Sequence, residues 1–210
     1  MEKNFSKSLD MSRLVNYTLN MIFVHLLACS LTSSHNTINV LNGNWEILHS
    51  DAPVELVQLE GFGFHFEMED QMWLWCLFDC VGALKIDQHD ITVVTQNAYA
   101  NIDGFHHVYS HSSDSMVRIS NTTMVDLQAV KGDVWIDAPR DGRISSFSFG
   151  THVEVSIEQD QIDDWYVGGT ANNVEHPFGL QLKDSATNLM EFHQVNGSVK
   201  VVLNRNISSL

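Results

Sequence analysis

The stretch Phe192-His193-Gln194-Val195-Asn196-Gly197-Ser198-Val199-Lys200-Val201 carries the plainest structural signal in the chain. Two segments with polar and apolar residues in alternation flank Asn196-Gly197. Asn-Gly accepts positive φ at both central positions of a two-residue turn, so the stretch predicts a β-hairpin. Working outward, the same period of two recurs from residue 41 onward. Phe62, Phe64, Phe66 and Met68 share one face, opposite Gly63, His65 and Glu67. Thr123, Val125, Leu127 and Ala129 form a second such face, Val153, Val155 and Ile157 a third, and Val199, Val201 and Leu203 a fourth. Turn signals punctuate the runs at Asp103-Gly104, Lys131-Gly132, Asp141-Gly142 and Gly150-Thr151. No segment of about twelve residues or more carries an amphipathic helical stripe. Residues 159–166 predict one short helical turn. Many short strands with regular turns imply an all-β fold, a single antiparallel barrel or a β-sandwich over residues 41–210. No internal repeat is evident. A break near residues 131–142, giving two small β units, is the alternative organisation.

The composition supports a packed domain. The chain has 210 residues, of which 44% are hydrophobic and 18% charged. Eleven Lys and Arg stand against twenty-six Asp and Glu, a formal charge of −15. That balance excludes a nucleic-acid binder, which needs a basic face, and a polybasic grip on anionic lipid. No uninterrupted apolar run reaches the roughly 18 residues of a membrane-spanning helix.

The first thirty residues read as an address. Lys3, Lys7 and Arg13 precede the apolar run Met21-Ile22-Phe23-Val24-His25-Leu26-Leu27-Ala28, and then comes Cys29. A positive start, a short apolar stretch and a small residue describe a secretory signal. Leu26-Leu27-Ala28-Cys29 also resembles the lipobox of bacterial lipoproteins. His25 within the run and the bulky Leu27 depart from that pattern. The resemblance implies that Cys29 is diacylated and becomes the new N-terminus. Ser30 after it resembles the pattern of outer-membrane lipoproteins, which implies an envelope location on the periplasmic face. A plain signal cut after Ser30, or an uncleaved anchor, are the other readings. The expected organisation is thus a signal peptide over 1–29, a Ser/Thr/Asn-rich tether over 30–40 and a β-domain over 41–210. Removing 1–29 takes away three basic and two acidic residues and leaves −16.

The cysteine count fits this scheme. Three cysteines leave an odd thiol, and a lipidated Cys29 leaves Cys76 and Cys80 as a pair. Along a straight strand they would stand about 13 Å apart, beyond disulfide reach. A tip at Leu77-Phe78-Asp79 would let them close. A disulfide and two buried thiols remain the two readings.

Gly43-Asn44-Trp45 resembles the opening strand of lipocalins and bacterial lipocalin-like domains. The resemblance implies an antiparallel barrel closed at one end by Trp45, with Arg205 as the basic residue packing over it. The helix after the last strand and the Thr-Asp-Tyr-like motif of that family are both missing. In such a barrel Trp45, Phe62, Phe64, Phe66, Trp73 and Trp75 would line a site for a small hydrophobic ligand. The run Met72-Trp73-Leu74-Trp75-Cys76-Leu77-Phe78 is apolar on both faces, so its outward face is alternatively a contact patch.

Few residues suggest chemistry. His106, His107 and His111 lie close in sequence and carry the ligand type preferred by zinc, copper and nickel. On a flat strand His107 and His111 would be about 13 Å apart, so only a loop or turn would let them chelate together. The numerous carboxylates lack the calcium-loop spacing and read as a solvated acidic surface. A Gly-x-Ser-x-Gly elbow, a phosphate loop, a dinucleotide fingerprint and His-Glu-x-x-His are all missing. The sequence favours a non-catalytic, envelope-anchored β-domain that binds a small hydrophobic ligand. The alternatives are an envelope protein–protein interaction module, or divalent-metal binding through the His cluster. No other cofactor is implied, and the membrane is met only through the lipid anchor.

Overall fold

The computed structural model describes residues 36–51, 55–68, 71–138, 141–170, 174–175 and 188–204. Among them thirteen strands account for nearly all the regular structure: β1 (Asn36–Leu41), β2 (Asn44–His49), β3 (Glu55–Met68), β4 (Gln71–Ile86), β5 (Asp90–Gln96), β6 (Tyr99–Asp103), β7 (His107–Ser120), β8 (Met124–Asp137), β9 (Arg143–Glu158), β10 (Trp165–Gly169), β11 (Val174–Glu175), β12 (Asn188–Val195) and β13 (Ser198–Asn204). The only helical element among these residues is a 3-10 turn, Gln159–Gln161, inside the segment expected to form one.

All-β is therefore right, but the antiparallel barrel and the sandwich are corrected. Among the described residues every pairing is parallel except β3 with β4. The path β4–β1–β5–β7–β6–β2 returns to β4, a closed ring of six parallel strands. The ring closes because β4 and β7 are long and bend midway. Each gives its first half to one flank and its second half to the other. β8 and β9 bend likewise and stack on β7 in turn, followed by β12 with β13 and then β10 with β11. The chain thus winds in rungs, each with a first flank, a corner and a second flank.

The corners explain why the turn signals misled. Asn42, Asn97, Asp114, Lys131, Gly150 and Asn196 all have positive φ, between 49° and 62°. One such residue, or two at Asn42-Gly43 and Lys131-Gly132, turns the chain between extended segments without folding it back on itself. The ladder continues across these corners: Asn97 N–H donates to the Ser113 carbonyl at 3.1 Å, and Met116 N–H to the Ala98 carbonyl at 2.9 Å. At Asn196-Gly197 a type I′ hairpin would need positive φ at both residues, and only Asn196 has it. β12 and β13 consequently pair with the two halves of β9 and not with each other. Gly197 is required for a different reason, since a Cβ there would lie 2.2 Å from the Thr151 carbonyl oxygen of the neighbouring rung.

Side chains that alternate inward stack in columns between the flanks. On the first flank Ile91, Val108, Val125, Ile144 and Met190 are in register and buried. On the second, Ile47, Ile102, Ile119, Ile136, Val155 and Val201 do the same. A third column alternates in size, Val93, Ser110, Leu127, Ser146 and Phe192, so bulky residues fill the space left by serines one rung away. Trp45 is buried in this stack, its indole N–H donating to the Asn42 carbonyl at 2.9 Å. Its ring lies against Gly82 of the next rung, where a Cβ would sit 2.3 Å away.

Two boundaries shift. The expected tether reached residue 40, yet Asn36–Leu41 is a strand with Ile38 and Val40 buried, because that segment supplies the first half of a rung. The suggested break at 131–142 is crossed by β8, whose corner Lys131-Gly132 keeps it in register with β7 and β9. Residues 1–35 lie outside the described residues, and with them the signal segment and Cys29. Among the described residues no helix is long and apolar enough to cross a membrane.

Candidate functional site

The first half of β9 reverses the usual polarity of a strand. Ile144, Ser146 and Ser148 point inward and are buried, which turns Phe147 and Phe149 outward, 62% and 45% exposed. The Ser146 and Ser148 hydroxyls have no hydrogen-bond partner among the described residues. Phe149 is in register with Val195 on β12, itself 49% exposed, and with Val130 on β8. Phe147 stands between Gln128 and His193 on the same two neighbours. The result is an apolar step across three adjacent rungs beside the corner at Gly150. Lys131 borders it, its stem 3.8 Å from the point a Gly150 Cβ would occupy.

A second apolar surface lies at the other end of the stack, on the β3–β4 hairpin. Phe62 and Phe78 are 64% and 69% exposed, with ring centroids 6.4 Å apart. Phe64 and Trp75 are register partners with centroids 5.3 Å apart. Leu74 and Cys76 alternate inward on β4, so Trp73 and Trp75 take outward positions; Trp73 is buried there and Trp75 half-buried. Phe62 and Phe64 therefore stand outside the stack, and the expectation that they line an interior is corrected. The aliphatic columns occupy that interior. The side chain of Phe66 and all of Arg205 lie outside the described residues.

Cys76 and Cys80 are joined by a disulfide across the corner of β4, with Cα atoms 5.6 Å apart. Asp79, at φ 46°, makes the bend that brings them together, and the Cys80 N–H donates to the Cys76 sulfur at 3.0 Å. The bond holds Leu77 and Phe78 outward as a tip. Gly63 of β3 leaves room for it, since a Cβ there would lie 2.8 Å from the Cys80 sulfur.

The structure does not gather His106, His107 and His111. His106 Nδ1 meets Asp90 at 3.2 Å on the surface. His107 Nε2 meets Asp126 of the next rung at 2.8 Å, and its ring lies 3.9 Å from that of Tyr109. Burial pushes the Tyr109 phenol up, and the nearby Asp126 and Asp90 carboxylates act in the same sense. His111 faces outward between Val94 and Gln128 but is buried, and its Nδ1 has no partner among the described residues. Burial holds its imidazole below the ordinary value, opposed by a hydrogen bond with Gln128. A separate imidazole pair, His49 stacked on His89 at 4.9 Å, packs beside Phe105. Among the described residues no group of three His, Cys, Asp or Glu is placed to hold a metal ion.

Sequence reasoning missed the step at Phe147, Phe149 and Val195. Its signal was present in the alternation of Ser146 and Ser148 with Phe147 and Phe149. Only the neighbouring rungs decide which of the two sets faces inward.

No protein-family model matches the chain, and no curated protein does. A solved structure described as a "putative cell adhesion protein" from Clostridium sporogenes is similar at 6% identity, with a TM-score of 0.24. The alignment covers 82% of this chain and 94% of that one.

Proposed function

We propose that the chain is a non-catalytic interaction module of the cell envelope, carried by an acylated Cys29, that meets a protein partner through Phe147, Phe149 and Val195. The observation that carries this reading is the reversed polarity of β9. Two phenylalanines are exposed while two buried hydroxyls have no partner among the described residues, which is unfavourable on both faces. Positions that break the local rule are where function is expected, and covering the rings would remove the part of the cost that falls on the outer face. The Cys76–Cys80 disulfide supports export, because such bonds persist in oxidising compartments. It also leaves Cys29 as the unpaired cysteine. The alternative, a small ligand enclosed by aromatic side chains, loses support because Phe62 and Phe64 are on the outside.

The test uses the full chain expressed with its own leader. A photo-crosslinking phenylalanine analogue in place of Phe147 should give a discrete protein adduct in intact cells. The same analogue in place of Lys200 should not, and Phe149→Asp should abolish the adduct at 147. Equal adduct patterns at both positions would contradict the reading. Metabolic labelling with an alkynyl fatty acid tests the anchor separately, with incorporation lost in Cys29→Ala.

A further inference from the structure

We infer that the outer face of the β3–β4 hairpin is a membrane-seating surface, and that its occupant is the lipid bilayer to which the chain is tethered. The inference rests on the acylation of Cys29 within the proposed function. Its first support is chain length. Six residues lie between Cys29 and Asn36, the first residue of β1, so seven Cα steps join the two. Fully extended, they reach no further than about 25 Å. An acyl chain on Cys29 therefore holds the start of β1 close to the bilayer surface.

The second support is where the hairpin sits. β1 pairs with β4, and β4 with β3, so the hairpin is one and two strand spacings from β1, about 10 Å along the stack at most. The exposed Phe62, Phe64, Leu77 and Phe78 lie on the rung next to the tether, roughly 16 Å or more along the strand from Asn36, and the step at Phe147 and Phe149 lies several rungs away. Tethering to within the reach of a few residues places this apolar surface against the interface at high effective concentration.

The third support is chemical. The anchor implied at Cys29 is itself diacylated and holds the chain at the bilayer, so what the hairpin adds is the orientation of the stack on that surface. A polybasic patch does not supply that orientation here. The side chains flanking the hairpin include Glu55, Glu67 and Asp79, all exposed. Carboxylates are repelled by anionic headgroups, so insertion of aromatic rings is the contribution this surface can make. The partner is accordingly a surface rich in zwitterionic lipid. The disulfide keeps Leu77 and Phe78 projecting at the tip.

The experiment places a benzoylphenylalanine in place of Phe78 in the full chain, reconstituted in vesicles of phosphatidylethanolamine with a minor share of phosphatidylglycerol. Mass analysis reads both the state of Cys29 and the adduct formed on illumination. The expected result is a phospholipid adduct at position 78, its loss when the analogue stands instead at Lys200, and a marked fall in yield with Phe62→Asp. Phe62 is exposed, so that variant keeps the fold. An acylated chain with no lipid adduct at 78 overturns this inference alone. So does an adduct with a second copy of the chain in the vesicles, or with another protein in native envelope membranes. An unacylated Cys29 overturns this inference and the envelope anchor together.

Discussion

The rungs β7 to β9 and the hairpin β3–β4 belong to one continuous sheet yet are held by opposite means. In β7, β8 and β9 the ladder is parallel, the corner is one residue at positive φ or, in β8, two, and stability comes from aliphatic columns inside. In the hairpin the ladder is antiparallel, with register shifts between Leu56 and Gln58, Glu60 and Phe62, and Phe62 and Gly63. A disulfide fixes its corner, and Phe62, Phe64 and Phe78 are on the outside. The difference teaches that the middle rungs are built to be buried by one another, while the hairpin ends the stack and presents a surface. β-Bulges also blunt the long outer strand against unwanted pairing.

The contrast is sharpened most by core truncation. Ile119→Ala should cost about 4 kcal/mol in urea unfolding, because Ile119 is fully buried in a column with neighbours on both rungs. Next comes the corner. Gly132 has φ 97°, and a Cβ there would lie 2.0 Å from the Ser115 carbonyl oxygen, so Gly132→Ala should cost about 3 kcal/mol by the same measurement. The paired change Cys76→Ser with Cys80→Ser should cost no more than about 2 kcal/mol, since the bond closes a loop with a sequence separation of only 4. A larger loss would mean that the hairpin organises the rungs, contrary to the account.

Acid should act on the rungs through His111. Burial lowers its folded-state pKa below the unfolded value near 6.5. As pH falls below about 6.5 the unfolded chain takes up a proton that the folded chain refuses, so stability drops with pH in that window. His111→Gln should flatten the drop between pH 6.5 and 5, and an unchanged slope would remove His111 as its cause. The smallest effect belongs to the hairpin surface. Phe62→Ser should change unfolding free energy by less than about 0.5 kcal/mol, in contrast to Ile119→Ala.

Much of this arrangement was legible residue by residue. The inward sets Val125, Leu127 and Ala129, and Val153 and Val155, followed from alternation alone. The corner at Gly150-Thr151, within one strand, was also readable. What alternation cannot supply is the partner of each strand, because parallel and antiparallel ladders bury the same face. Asn196-Gly197 reads as a hairpin by composition, yet Asn42-Gly43 and Lys131-Gly132 turn corners with both residues at positive φ, so the choice rests on the neighbouring rung, where Gly197 packs against Thr151. A repeat signal did exist. Asn97, Asp114 and Lys131 are seventeen residues apart, and Gly150 follows nineteen later, but the four are chemically unlike and share only a backbone conformation. The aromatic residues misled for a related reason. Phe62 and Phe64 alternate as a core face would, and only the stacking of neighbouring rungs assigns them to the outside, as it also does for Phe147 and Phe149.

Parallel winding is the claim on which the rungs, the columns and both surfaces depend, and thiol crosslinking at the last corner tests it most directly. Lys200 is in register with Glu154 of β9, whereas a hairpin at Asn196-Gly197 would set Lys200 opposite His193. In the full chain, Glu154→Cys with Lys200→Cys should be bridged rapidly by a short bifunctional thiol reagent, as mapped by peptide mass. His193→Cys with Lys200→Cys should not. Bridging of the second pair and failure of the first would contradict the account.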